Sequence, residues 1–154
     1  MNIPISKIQN KAKEDADFDS EVFDFITFGA VLEHLYNPGK AIEKALNWLK
    51  PGGIIHIEVP SSHWLTNKLI NRIYKLKGTD YVANLSPMHE PYHLYEFGLK
   101  SFQKHAAIHK YTIADHRYIV CDTFLPKSLD FILKPYMKNT DKGMQLALLL
   151  MKKS

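Results

Sequence analysis

The run Val22-Phe23-Asp24-Phe25-Ile26-Thr27-Phe28, followed by Gly29-Ala30-Val31-Leu32-Glu33-His34-Leu35-Tyr36-Asn37-Pro38, decides the fold. Residues 22–28 are β-branched and aromatic and read as a mostly buried strand, which Gly29 ends. Residues 30–35 make a short helical turn. Asn37-Pro38 then starts a helix: asparagine caps free N–H groups, and proline at the first helical position has no N–H to lose. Ala41, Ile42, Ala45, Leu46 and Leu49 fall on one face of that helix, with Lys40, Glu43, Lys44 and Asn47 on the other. Pro51-Gly52-Gly53 stops the helix and turns the chain. Residues 54–59 (IIHIEV) form a strand whose apolar character suits burial on both faces of a parallel sheet. Strand, helix and strand at this spacing make a βαβ unit with a right-handed crossover.

Outward from this unit, Ser61 or Ser62 is expected to cap a helix over 62–77, striped by Leu65, Leu69, Ile70, Ile73 and Leu76. Residues 78–97 are irregular and rich in proline, histidine and tyrosine. A helix over 99–108 and a strand over 111–121, bent near Asp115, follow. Residues 127–138 are ambiguous because they contain Pro135. Residues 144–151 (MQLALLLM) form a last strand. Residues 1–21 are a polar segment, with acidic residues at Glu14, Asp15, Asp17, Asp19 and Glu21. The whole of 1–154 is read as a single domain.

The 154 residues suffice for one hydrophobic core. Hydrophobic residues make up 45% and charged residues 23%, as in ordinary globular proteins. Cys121 is the one cysteine, which excludes an internal disulfide and a multi-cysteine zinc site and agrees with a cytoplasmic setting. The formal charge of +4 is spread along the chain. Lys68, Arg72, Lys75 and Lys77 around Tyr74 are the nearest approach to a nucleic-acid patch, and nucleic acid is not expected as a partner. The longest apolar run, 146–151, is too short to span a bilayer, and residues 1–10 have no signal-peptide core.

Three stretches, taken in order, resemble the class I S-adenosylmethionine-dependent methyltransferase family. Phe23-Asp24 running into Val31-Leu32-Glu33-His34-Leu35 and Asn37-Pro38 is similar to the family's fourth strand and the turn after it. Lys50-Pro51-Gly52-Gly53 resembles the turn into its fifth strand. Residues 91–102 (PYHLYEFGLKSF) resemble the segment before its last helix. The resemblance covers roughly residues 12–154. It implies an α/β, partial Rossmann-like methyltransferase fold: a half-sheet in the family order 4-5-7-6 with flanking helices.

It also implies that Phe28, Gly29 and Ala30 border the methionine part of S-adenosylmethionine, since ligands of open α/β sheets sit beyond the carboxyl ends of the strands. Gly29 is alternatively only the end of the strand. His34 reads either as a base near the substrate or, with Glu33, as a hydrogen-bonding prop of the turn. His89, Tyr92 and His93 fall over the active-site mouth, where they contact substrate or simply pack a loop; His34, His89 and His93 are the candidate bases. The acceptor is expected to be a small molecule, a sugar or a lipid-linked intermediate. The alternative is a non-catalytic remnant acting as an interaction module.

Two departures bear on the cofactor. The seven glycines, at 29, 39, 52, 53, 78, 98 and 143, form no GxGxG loop of the kind that lets backbone approach S-adenosylmethionine. The family's acid at the end of its second strand has no counterpart, and its adenine-binding Gly-Asp pair falls near Lys11-Ala12. Weak or no cofactor binding is therefore expected of this chain, which is read as the C-terminal portion of a domain: a fragment, a natural truncation or a non-catalytic module. With strand 22–28 central in the family's order, its outer edge should be covered by residues 1–12 or by a second copy in a homo-oligomer. His89-Glu90-Pro91-Tyr92-His93 matches HExxH, but Pro91 disrupts the helix that zinc chemistry needs, and no metal is expected.

Overall fold

The computed structural model describes residues 16–86, 90, 92–121, 123 and 125–153. Strand β1, Phe23–Gly29, leads through a 3-10 turn, Leu32–His34, to helix α1, Pro38–Trp48. Asn37 caps α1 as expected: its Oδ1 accepts from the Lys40 amide at 3.0 Å, and Pro38 occupies the first turn. Strand β2, Leu49–Pro60, begins five residues before the expected start at 54, because Leu49 leaves the helix already extended. The added residues enter the sheet irregularly, Phe23 pairing with Leu49 and Phe25 with Ile54.

Helices α2 (Leu65–Leu76) and α3 (Leu99–Ile108), strand β3 (Tyr111–Ile119), helix α4 (Asp130–Asn139) and strand β4 (Gln145–Lys152) complete the chain. The sheet order is β1-β2-β4-β3. β1 and β2 are parallel, while β4 runs antiparallel to both its neighbours. In the family's numbering this is 4-5-7-6, the half-sheet anticipated from the sequence. The expected bend near Asp115 is a register shift between Ile113 and Asp115. α4 accommodates Pro135 within it, which resolves the ambiguity of 127–138.

The core lies on one face of the sheet. Ile55, Ile57 and Val59 of β2 and Leu146, Leu148 and Leu150 of β4 are buried there together with Ile42, Ala45, Leu46 and Trp48 of α1 and Phe102 of α3. The opposite face carries Phe25, Thr27, Ile54, His56, Leu149 and Met151. No described helix covers it, and Phe25 is 56% exposed. Phe25 thus corrects the expectation that 22–28 is mostly buried: alternate side chains point to opposite faces, and only Phe23, Ile26 and Phe28 meet the core.

Helix α2 corrects the sequence reading twice. It starts at Leu65, not 62, and neither serine caps it; Ser61 Oγ instead accepts from the His63 amide. Ser61 is held at the sheet end, its N–H donating to Met144 O at 2.9 Å, so residues 61–64 turn before the helix can begin. The apolar stripe also fails to bury: Leu69, Ile73 and Leu76 are exposed, while Thr66 and Asn67 are buried by hydrogen bonds to Thr123 O and Glu96 Oε1.

On the outer side of β1 no described strand pairs with it. Residues 16–22 fold back toward α1, with the Val22 amide donating to Trp48 O and Phe18 edge-on to Phe23 and Trp48 at 5.1 Å. No described helix is long and apolar enough to cross a membrane.

Candidate functional site

The carboxyl end of β1 is built by backbone strain and by space. Ala30 has φ +50°, in the left-handed region that side-chain-bearing residues rarely adopt. Its amide donates to Glu58 O at 3.0 Å, which holds it there and turns the chain off the sheet. Gly29 lies outside that region, and a Cβ built on it meets nothing within 4 Å. The chain's own packing therefore does not require glycine at 29, and the space over it is open.

The 3-10 turn beyond puts Glu33 and His34 at the rim. Glu33 is 2% exposed, and its Oε2 has no hydrogen-bond partner among the described residues. An unsatisfied buried carboxylate oxygen is costly, so a partner outside the described side chains, such as water, an ion or a ligand, is expected at it. The prop reading of Glu33 belongs to its main chain instead, whose O accepts from the Leu94 amide at 2.9 Å.

His34 Nδ1 lies 2.8 Å from Tyr92 O. A carbonyl only accepts, so Nδ1 carries the hydrogen and, in the neutral ring, Nε2 keeps its lone pair. That Nε2 is 3.9 Å from Glu33 Oε1, and the His93 ring sits edge-on to His34 at 4.8 Å. Ligand atoms of Glu33, His34 and His93 lie within 4.8 Å of one another, so these three could also hold a cation.

A cleft of about 360 Å³ opens here, lined by Ala30, Glu33, His34, Glu58, Val59, Pro60, Trp64, Asn84, His93, Met144 and Gln145. The structure thus joins three of the sequence candidates, Ala30, His34 and His93. Phe28 points instead into the core and a separate hollow beside α1. Tyr92 contributes its carbonyl, while its side chain is exposed. His89 lies outside the described residues. Of the HExxH run, Glu90, Tyr92 and His93 are described and none is helical; Ser86 and His93 form an isolated bridge.

Glu58 and Asn84 were missed. Glu58 lies near the carboxyl end of β2, beside Gly29, so the carboxyl-end rule applied to IIHIEV would have found it. Asn84 arrives through tertiary contacts: it and Asn67 both donate to Glu96 Oε1, which ties Asn84 and Glu96 to α2, and no local pattern announces that.

A comparison with protein families matches residues 2–126 to a methyltransferase domain. The chain belongs to the class I S-adenosylmethionine-dependent methyltransferase family. Solved structures agree on the fold of this methyltransferase domain. An S-adenosylmethionine-dependent methyltransferase from Methanosarcina mazei is 14% identical with a TM-score of 0.60, over 93% of this chain and 65% of that one. A Haloferax volcanii methyltransferase, solved with the activator Trm112, is 12% identical with a TM-score of 0.58, over 94% and 60%. The [4+2]-cyclase SpnF is 14% identical with a TM-score of 0.57, over 93% and 54%.

The methyltransferase domain thus spans under two thirds of the length of each of these structures. The cyclase among them is a reminder that the fold alone does not fix the reaction. No curated protein matches the sequence significantly. S-adenosylmethionine is the family's cofactor, and the space over Gly29, next to the cleft, is open.

Proposed function

We propose that this chain forms the acceptor side of an S-adenosylmethionine-dependent methyl-transfer site, with the cleft beyond Gly29 and Ala30 receiving a small-molecule, sugar or lipid-linked acceptor. The observation that carries the reading is the convergence on one cleft of Ala30, at the strained strand end, with the buried Glu33 carboxylate and the His34–His93 pair. Its size suits a small ligand or a headgroup.

When bound, the cofactor supplies an electrophilic methyl on a sulfonium centre. The protein's part is positioning and exclusion of water. Gly29 leaves the approach open. The hydrogen bond to Tyr92 O fixes the His34 ring with its Nε2 lone pair available, so Nε2 takes the acceptor's proton if the acceptor carries one. The Glu33 carboxylate at 3.9 Å then stabilises the resulting imidazolium. Without a GxGxG loop, few polar contacts to the cofactor remain, and binding by this chain is no tighter than about millimolar, roughly 4 kcal/mol. Calorimetry with S-adenosylmethionine tests this, since a micromolar dissociation constant would refute it.

A second reading, an interaction module, draws on the open face with Phe25 and on the outer side of β1, which no described strand pairs. Association there makes a homo-oligomer, detectable by light scattering.

A further inference from the structure

Away from the cleft, α1 and α3 bring together Glu43, His105 and His109. His105 and His109 are one helical turn apart, and their rings stack at 4.0 Å. Both present Nε2 to the same carboxylate oxygen: His109 Nε2 is 3.5 Å and His105 Nε2 is 3.8 Å from Glu43 Oε1. The three ligand atoms lie within 4.8 Å of one another.

The hydrogen bonds behind this cluster fix what His105 offers to it. The buried Tyr111 hydroxyl donates its one hydrogen to Phe102 O at 3.0 Å. His105 Nδ1 lies 3.1 Å from the same hydroxyl, which can now only accept, so Nδ1 is the donor. In the neutral ring Nε2 is left with a lone pair. That atom is buried and makes no hydrogen bond among the described residues. A lone pair aimed at a carboxylate needs a positive centre between them.

We propose that Glu43, His105 and His109 form a divalent metal site of the zinc class that clips α3 to α1. Ligands about 2.0–2.1 Å from a tetrahedral zinc stand roughly 3.3 Å apart, close to the observed 3.5 and 3.8 Å spacings, and the two histidine rings, now stacked at 23°, must tilt for their lone pairs to converge on one ion. A histidine whose second nitrogen donates to a fixed acceptor is the usual supporting arrangement for such a ligand. His105 has it through Tyr111, which is itself held by Phe102 O. A groove of about 450 Å³ lined by Glu43 and His109 with Glu21, Lys110, Lys152 and Lys153 adjoins the cluster, and water from it would complete the set. The site shares no residue with the cleft at Ala30. It departs from the sequence-based expectation of no metal, which weighed the HExxH run and the single cysteine.

The test is a titration of the metal-free full chain with Co²⁺, read by the visible absorption of tetrahedral cobalt, and a thermal melt with and without Zn²⁺. The wild type should take up one equivalent at this site and melt higher with zinc. His109→Ala and Glu43→Gln should each weaken that binding at least tenfold and abolish the zinc-dependent rise. Both should melt like the metal-free wild type, since neither side chain is buried. His93→Ala, which removes the histidine pair of the cleft, should leave the signal intact. Cobalt absorption that survives His109→Ala, or that follows His93→Ala instead, overturns the proposal, as does the absence of tetrahedral absorption in the wild type.

Discussion

Replacing Gly29 by alanine separates the two roles that the sequence leaves open for this residue. If Gly29 served only to end the strand, its substitution would disturb the turn and lower stability. The structure argues otherwise: the backbone there is outside the left-handed region, and an added Cβ has no neighbour within 4 Å. Glycine in a strand costs about 0.5–1 kcal/mol relative to alanine through backbone entropy. Gly29→Ala should therefore stabilise the chain by about 0.5–1 kcal/mol in a urea titration with unchanged slope. It should also weaken ligand-induced changes at the cleft, because the methyl fills the open approach. Gly143→Ala is the contrast, since its Cβ would lie 2.6 Å from Ile119 O and 2.9 Å from two backbone carbons. Overpacking of this kind costs about 1–3 kcal/mol. A Gly29→Ala chain less stable than wild type by more than about 1 kcal/mol would refute the reasoning, because it would show that the fold itself needs glycine there.

Leu46→Ala empties a core position against the sheet and should cost about 2–5 kcal/mol by denaturant titration. Phe25→Ser, on the open face, should change stability by less than about 0.5 kcal/mol, and a larger loss would mean that this face is covered. Burial pushes the Tyr111 pKa up to about 12. The folded state thus holds the phenol's proton more tightly than the unfolded state does. That stability is complete below pH 10 and drains away as pH rises toward 12. Tyr111→Phe should flatten this alkaline decline in pH-dependent melts. At the outer edge of β1, light scattering should find a dimer, or hydrogen exchange should find protected Phe25 and Thr27 amides; a monomer with both amides exchanging at random-coil rates contradicts edge coverage.

The half-sheet was legible because its signals are local and agree. Asn37-Pro38 starts a helix, Pro51-Gly52-Gly53 turns the chain, and 144–151 is too short and apolar to be much besides a strand. Residues 22–28 misled about Phe25 because a run apolar on both faces reads as burial on both faces, whereas the described helices cover one. Helix α2 misled for the opposite reason. Its apolar stripe obeys helical spacing, but the neighbours it meets bury Thr66 and Asn67 instead, a tertiary choice that periodicity does not carry. In the candidate site, Ala30 and His34 came from the strand end and the turn motif. The contact of His34 with His93 depends on residues 92–97 lying over the turn, and Glu96 with its two asparagine donors helps to hold them there. The Glu43–His105–His109 cluster joins two helices far apart in the sequence, and only the packing of α3 beside α1 brings it together.

The central claim, that the cofactor's methionine end and the acceptor meet beyond Gly29 and Ala30, is most directly tested by ¹H–¹⁵N spectra of the full chain titrated with S-adenosylhomocysteine at millimolar concentrations. Shifts should concentrate at Gly29, Ala30, Glu33, His34 and Glu58 and should not saturate below about a millimolar. Saturable shifts centred elsewhere, or none at Gly29 and Ala30 at the highest concentration, would contradict the assignment.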